Sequence, residues 1–231
     1  MEIGTGGGVA RAELEGEGAR ARFLLVLTHG AGGGVEAPDV LAVRDAGLEL
    51  GGMVARVTQP YRVRGGRAPG PAVRQDAAWA EIVAALTGLV PGVPLVQGGR
   101  SNGARVACRT AGTVGARAVI ALAFPLSPPR RPASLAGPDT AARTRSARLP
   151  ELRAARAGGA AVLVLSGERD PFGIPGPQDA DRVVIVPGET HALKGHRGVI
   201  AAAVTEWLPP VLWPPADDGI KKEETRMKMG R

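Results

Sequence analysis

Short apolar runs without polar alternation recur along the chain, and Gly, Pro or charged residues bound each of them. Strands that are covered on both faces of a parallel sheet have continuous apolar runs of this kind. We therefore predict six buried strands, over residues 23–28, 53–58, 94–97, 118–123, 160–166 and 182–186. Residues 1–22 are rich in Gly and only weakly alternating, which is typical of an irregular edge strand.

Segments of helical length with one apolar face separate these strands, over residues 39–50, 72–89, 103–113 and 149–156. A last helix over residues 197–208 is expected to end at Pro209-Pro210, because proline lacks an amide hydrogen and clashes with the preceding turn. Strand and helix alternate, which predicts one α/β domain over residues 1–213, with a mainly parallel sheet and helices on both faces. The polar segment 214–231 has no apolar periodicity, and we expect a disordered tail.

Composition narrows the class of protein. The single cysteine, Cys108, excludes an internal disulfide framework and a cysteine-based metal site, and we predict neither a metal nor a cofactor. The chain has no run of about 18 apolar residues and no secretory signal, so we expect a cytoplasmic protein without a membrane partner. The formal charge of +7 comes from scattered arginines without interleaved aromatics, which predicts no nucleic-acid partner. The oligomeric state stays open.

The strongest chemical signal is the turn Gly99-Arg100-Ser101-Asn102-Gly103, between a predicted strand and a predicted helix. Gly-x-Ser-x-Gly in this context is the nucleophile elbow, in which the serine lies on a strained turn with its hydroxyl exposed. Glycines two residues before and after the serine avoid steric clashes in that turn. We predict that Ser101 is a nucleophile. The alternative is a tight turn in which Ser101 only caps the helix.

A second glycine-rich segment, His29-Gly30-Ala31-Gly32-Gly33-Gly34, follows the first predicted strand, and we call it the glycine loop. Hydrolases with a nucleophile elbow take one oxyanion-hole amide from such a loop and another from the residue after the nucleophile. This predicts Ala31 and Asn102 as donors, with Gly32 as the near alternative. Nucleotide binding is the weaker interpretation, because the Gly-Lys-Ser/Thr ending and the Gly-x-Gly-x-x-Gly spacing are absent.

A catalytic triad needs an acid and a histidine later in the chain. Asp170 follows the fifth predicted strand, and its alternative role is to open an Asp-Pro turn. His191 follows the sixth strand and is the predicted general base, with His196 as second choice. Because the carboxyl ends of parallel strands share one edge of a sheet, both partners can reach Ser101. The sequence therefore predicts a serine hydrolase that cleaves an ester or related acyl bond in a small molecule, through an acyl-enzyme.

Several collinear motifs between residues 5 and 208 together resemble the small lidless α/β-hydrolases of the testis-expressed-30 and KAT8-regulatory-complex-subunit-3 type, and more distantly the dienelactone hydrolases. Beside the glycine loop and the elbow they comprise Gln59-Pro60-Tyr61-Arg62-Val63, Phe124-Pro125-Leu126, Gly167-Glu168-Arg169-Asp170-Pro171-Phe172-Gly173 and His191-Ala192-Leu193. The resemblance implies a three-layer α/β-hydrolase fold with a minimal lid or none. It also implies a triad of Ser101, Asp170 and His191, with an oxyanion hole near Ala31 and Asn102. It implies no particular substrate.

Residues in and beside these motifs are candidate substrate contacts: His29, Gly32, Arg100, Phe124, Pro125, Leu126 and Phe172. For His29, positioning of the glycine loop by hydrogen bonds is the more typical role. The basic segment 130–148 stands where other hydrolases carry a cap, and either shapes an acyl pocket or is a solvated loop.

Some relatives of the resembled group belong to chromatin complexes, so the alternative function is a scaffold protein that keeps the fold without the activity. Acyl transfer to an acceptor other than water is a third interpretation.

Overall fold

An eight-stranded sheet organises the chain in the computed structural model, which describes residues 1–128 and 148–215. The strands are β1 (Glu2–Thr5), β2 (Gly8–Glu15), β3 (Leu24–Thr28), β4 (Met53–Thr58), β5 (Leu95–Arg100), β6 (Ala118–Leu122), β7 (Ala161–Gly167) and β8 (Arg182–Val186). Their spatial order is β1-β2-β4-β3-β5-β6-β7-β8. The β1–β2 and β2–β4 pairs are antiparallel and the remaining pairs are parallel. All six predicted strands are present, in a mainly parallel sheet.

Helices cover both faces of this sheet. They are α1 (Pro38–Glu49), α2 (Pro60–Val63), α3 (Ala72–Thr87), α4 (Asn102–Val114), α5 (Leu149–Ala157) and α6 (Arg197–Leu212). One apolar core lies between the sheet and α3, α4 and α5, and it includes Trp79 and Leu152. The other lies between the sheet and α1 and α6, and it includes Val43 and Val204. The three-layer arrangement predicted from the alternation of strands and helices is confirmed.

The N-terminal segment forms a regular hairpin rather than a single irregular edge strand. Strand β2 pairs with β4, and Ala10 and Ala12 face the core with 0% and 2% of their surface exposed. The other face of β2 carries charged residues, and Glu13 and Glu15 both pair with the Arg56 guanidinium. Because its inward positions are small alanines, β2 has little apolar periodicity in the sequence.

Helix α6 continues through Pro209 and Pro210 to Leu212, so the prediction that these prolines end it is wrong. Leu208 and Leu212 are buried against the core, with 0% and 7% of their surface exposed. The amide of Trp213 donates to the carbonyl of Pro209 at 2.8 Å and closes the last turn. Packing of this turn outweighs the two hydrogen bonds that the prolines cannot donate.

Several expectations concern single features of the chain. Cys108 is buried in α4, as expected for a small core residue, and burial raises the pKa of its thiol. No helix among the described residues has the length and apolar character needed to span a membrane. Within the same ranges, no group of three or more His, Cys, Asp or Glu could hold a metal ion. Most of the basic segment 130–148, and residues 216–231 of the predicted tail, lie outside the described residues.

Candidate active site

The elbow lies where β5 passes into α4. Ser101 has a φ of 51° and a ψ of −108°, in a region that non-glycine residues rarely adopt. Its amide donates to the carbonyl of Leu122 at 2.8 Å, which ties the strained turn to the neighbouring strand. A Cβ at Gly99 would lie 2.7 Å from the Thr28 oxygen, so this turn requires glycine there. The Ser101 side chain makes no capping hydrogen bond to α4, which removes the support for a purely capping role.

The structure brings Ser101, His191 and Asp170 together. Nε2 of His191 is 3.0 Å from Oγ of Ser101, and Nδ1 of His191 is 2.8 Å from Oδ2 of Asp170. The Asp170 side chain has no exposed surface, and its other oxygen accepts a hydrogen bond of 2.9 Å from the Phe172 amide. The Phe172 ring packs edge-on against the imidazole, with centroids 4.5 Å apart. These contacts orient the imidazole between a carboxylate and a hydroxyl, as proton transfer from the serine requires.

The loop that carries His191 approaches β7 closely. A Cβ at Gly167 would overlap the carbonyl oxygens of Glu189 and Thr190, so glycine is needed where the two segments meet. The Glu189 carboxylate accepts hydrogen bonds from the Lys194 and Gly195 amides and fixes the end of the loop. It also bonds to Nδ1 of His196 at 3.1 Å, and this bond is the main cause of its lowered pKa. His196, the second-choice base, is exposed and engaged there rather than with Ser101.

The glycine loop packs against the elbow. A Cβ at Gly30 would be 3.4 Å from Cβ of Ser101, so this position of the loop lies within van der Waals contact of the elbow. His29 lies beneath the loop with no exposed surface. Its Nε2 accepts from the Gln59 amide at 3.0 Å, so Nδ1 carries the proton and donates to the Gly30 carbonyl at 2.8 Å. Burial lowers the pKa of His29 and keeps it neutral, and the side chain positions the loop without reaching the open surface.

Two side chains hold the predicted oxyanion residues from behind. The Tyr61 hydroxyl donates to the Ala31 carbonyl at 3.2 Å, and burial raises the pKa of that phenol to about 12. The Asn102 side chain donates to Oε1 of Gln75 at 2.8 Å. Asn102 is the first residue of α4, and the first amides of a helix have no acceptor within the helix. Its backbone N–H is therefore available at the elbow. Sequence reasoning missed Gln75, which looks like any polar residue of an amphipathic helix.

Known proteins share this architecture. Residues 21–177 match the family described as the alpha/beta hydrolase domain. The chain belongs to this alpha/beta hydrolase family. No curated protein matches the sequence. The narrower resemblance to the testis-expressed-30 type remains a prediction.

Solved structures resemble this chain over almost its whole length. Est1E from Butyrivibrio proteoclasticus with bound ferulic acid is 18% identical, with a TM-score of 0.69 over 90% of this chain and 97% of that chain. An α/β serine hydrolase without lid from Xanthomonas campestris is 18% identical, with a TM-score of 0.62 over 90% and 94%. A serine hydrolase homologue from Coxiella burnetii is 17% identical, with a TM-score of 0.63 over 90% and 96%. At these identities the likeness concerns the fold alone.

The remaining predicted substrate contacts differ in accessibility. Phe124 and Pro125 are buried beneath the site, and Leu126 is 9% exposed. Phe172 is half-buried against the His191 ring, and Gly32 is exposed at the tip of the glycine loop. Of this group, Phe172 and Gly32 therefore offer the surface that a substrate could contact directly.

A cavity of about 750 Å³ adjoins the back of the site, between the β1–β2 turn, α2 and α3. Tyr61 and Gln75, which hold the predicted oxyanion residues, are part of its wall, and Arg64 and Arg74 also line it. Ser101, Asp170 and His191 do not line it. The triad of Ser101, His191 and Asp170 thus lies outside this cavity.

Proposed function

We propose that this protein is a serine hydrolase that cleaves an ester or related acyl bond of a small molecule. The observation that carries the proposal is the continuous chain from Oγ of Ser101 to Nε2 of His191 at 3.0 Å and from Nδ1 to Asp170 at 2.8 Å. The strained φ of 51° at Ser101 supports it, because non-glycine residues keep such a conformation mainly at functional sites.

The reaction begins when His191 takes the proton from the Ser101 hydroxyl as its oxygen attacks the substrate carbonyl. Asp170 stabilises the imidazolium that results. The amides of Ala31 and Asn102 donate to the oxyanion of the tetrahedral intermediate. His191 then gives its proton to the leaving alcohol, which departs and leaves an acyl-enzyme on Ser101. A water molecule, deprotonated by His191, then attacks the acyl group, and His191 returns this proton to Oγ of Ser101 as the acid departs and the free serine is regenerated.

The similar structures agree with this proposal in general terms. One is described as a serine hydrolase without lid, and another holds ferulic acid. Identities of 18% support a shared architecture.

Labelling with a fluorophosphonate probe and turnover of p-nitrophenyl acetate test the reaction. We expect the wild-type protein to be labelled and active, and Ser101→Ala to lose labelling and about 10⁴-fold or more in kcat. Ser166→Ala is the matched control, because its buried hydroxyl has no hydrogen-bond partner among the described residues and its loss removes no hydrogen bond there. A Ser101→Ala protein that reacts like the wild type in both assays would refute the assignment of the nucleophile.

Two outcomes of these assays would favour the alternative functions, a scaffold protein or an acyl-transfer enzyme. A folded wild-type protein that neither labels nor turns over any ester in a panel of short and long acyl chains favours a scaffold that has kept only the fold. A protein that labels at Ser101 but releases the acyl group only when an alcohol or amine is added favours acyl transfer. The same panel, used on an active wild-type protein, identifies the acyl length it prefers.

A further inference from the structure

We propose that Arg100 is a positioning residue that fixes the backbone of His191 beside Ser101, and that Asp39 holds the Arg100 guanidinium in place. The proposal deepens the function proposed above and rests on it. It concerns a residue inside the Gly-x-Ser-x-Gly turn whose side chain the reaction itself does not use. The sequence suggested Arg100 only as a substrate contact.

The first observation is the link between Arg100 and both members of the reacting pair. Nη2 of Arg100 donates to the backbone carbonyl of His191 at 2.9 Å. Arg100 also precedes Ser101 directly in the chain. We call the loop between β8 and α6, residues 187–196, the histidine loop. Arg100 therefore joins the elbow to the histidine loop, by a peptide bond to Ser101 on one side and by a charge-assisted hydrogen bond on the other. The distance from Nε2 of His191 to Oγ of Ser101 therefore depends on how Arg100 holds the histidine loop against the elbow.

The second observation is the anchor on the other side of the guanidinium. Oδ2 of Asp39, in the first turn of α1, is 3.1 Å from Nε of Arg100. The Asp39 side chain has no exposed surface, and the Arg100 side chain is 18% exposed. Nε does not point directly at Oδ2, so an ion pair rather than a linear hydrogen bond joins them. The other oxygen of Asp39 accepts from the Val40 amide at 3.0 Å, which fixes the carboxylate.

The third observation is the contact with the glycine loop. A Cβ at Gly30 would lie 3.4 Å from Nη1 of Arg100, and one at Gly33 would lie 4.0 Å away. The guanidinium thus lies against the segment that carries one of the predicted oxyanion donors. Its three nitrogens face three different segments: α1, the glycine loop and the histidine loop. Arginine suits this position because its planar donors point in several fixed directions, whereas lysine offers one point charge.

Kinetic constants of four variants test the proposal at pH 8, where Asp39 is ionised. Displacement of a catalytic group by about 1 Å can lower the rate about 100-fold. We expect Arg100→Met to lower kcat for p-nitrophenyl acetate by about 30- to 100-fold, and Arg100→Lys and Asp39→Asn by about 10-fold, with KM within about 3-fold of wild type. The double variant Arg100→Met/Asp39→Asn should be no slower than Arg100→Met, because the two residues act as a unit.

The matched control is Arg197→Lys. Arg197 also pairs with an aspartate of α1, through a 2.9 Å contact with Asp45, but it does not touch the elbow. We expect wild-type kcat and KM from this variant. A thermal unfolding curve for each protein verifies that it is folded. Because Arg100→Lys and Asp39→Asn are conservative changes, they keep the test decisive even if Arg100→Met does not fold.

A readout that needs no turnover separates this proposal from the proposed function. We expect a proton on Nδ1 of His191, which lies 2.8 Å from Oδ2 of Asp170, to give a low-field proton NMR signal in the wild-type protein. We expect this signal to shift or broaden in Arg100→Lys and to stay unchanged in Arg197→Lys. Unchanged spectra and wild-type kcat in the Arg100 variants overturn the positioning role. A 10-fold rise in KM at constant kcat overturns it in favour of direct substrate binding, and an inert wild type with the expected NMR changes refutes only the hydrolase activity.

Discussion

Replacement of Gly103 by alanine tests whether the elbow is as tightly packed as its geometry indicates. A Cβ at this position would lie 2.7 Å from the His29 oxygen and 2.9 Å from the Thr28 oxygen. Both are backbone atoms at the end of β3, and Thr28 is paired with β4 and β5, so the sheet must move to admit the methyl group. Overpacking of this kind costs about 1–3 kcal/mol, which the helix preference for alanine reduces by about 0.5–1 kcal/mol.

The middle of these ranges gives a net loss of about 1.3 kcal/mol, which lowers Tm by about 3–5 °C in a protein of this size. The same movement displaces the glycine loop that begins at His29, so we expect kcat to fall about 10- to 100-fold as well. Differential scanning calorimetry and p-nitrophenyl acetate turnover measure the two effects. Gly198→Ala is the control, because a methyl group added to this helical glycine would meet no atom within 4 Å, and its Tm should be equal or slightly higher. A Gly103→Ala protein with wild-type Tm and kcat would refute the packing argument.

Three further predictions concern buried polar groups. Gln75→Leu removes the acceptor of the buried Asn102 side chain, which should lower the free energy of unfolding by about 1–3 kcal/mol in a urea titration, and an unchanged midpoint would contradict this. Cys108, whose thiol pKa is raised by burial, should resist iodoacetamide in the native protein and react fully in denaturant. Burial raises the pKa of Asp39 from 3.8 to about 6. Ionisation of Asp39 in the folded state therefore costs about 3 kcal/mol. Below pH 4 the carboxyl is protonated and this cost is absent, and the free energy of unfolding falls by this amount as the pH rises through about 6. The stability of the wild type relative to Asp39→Asn should accordingly fall between pH 4 and pH 7, and a constant or rising difference would contradict the prediction.

The central strands could be predicted from the sequence because burial on both faces leaves continuous apolar runs. Strand β2 could not, because its inward residues Ala10 and Ala12 are small and its pairing with β4 depends on tertiary structure. The continuation of α6 through Pro209 was missed for a related reason. Local propensity opposes a helix there, and only the burial of Leu212 against a distant part of the chain reveals why the turn persists.

The proximity of Ser101, Asp170 and His191 could be predicted from topology alone. Each follows a strand of the parallel set, and the carboxyl ends of such strands share one edge. The residues that support them gave no such signal. Gln75 and Asn102 are 27 residues apart, and no periodicity indicates which polar side chain of α3 faces inward. The sequence identifies a candidate reacting residue by the strand that it follows. The residues that support it cannot be identified in this way, because they depend on which helices pack beside the site.

The arginine content of the chain acquires a physical meaning in the folded structure. Arg56 is 8% exposed at the side chain and lies among three carboxylates, and Arg109 pairs with carboxylates of α3 and α5. These guanidinium groups form ion pairs between separate segments of the chain, in addition to the apolar contacts between them. Arg100 is bound in the same way, but one of its partners carries the imidazole beside Ser101. Among these three arginines, Arg100 is therefore the one whose replacement should lower kcat by a larger factor than its effect on the free energy of unfolding explains.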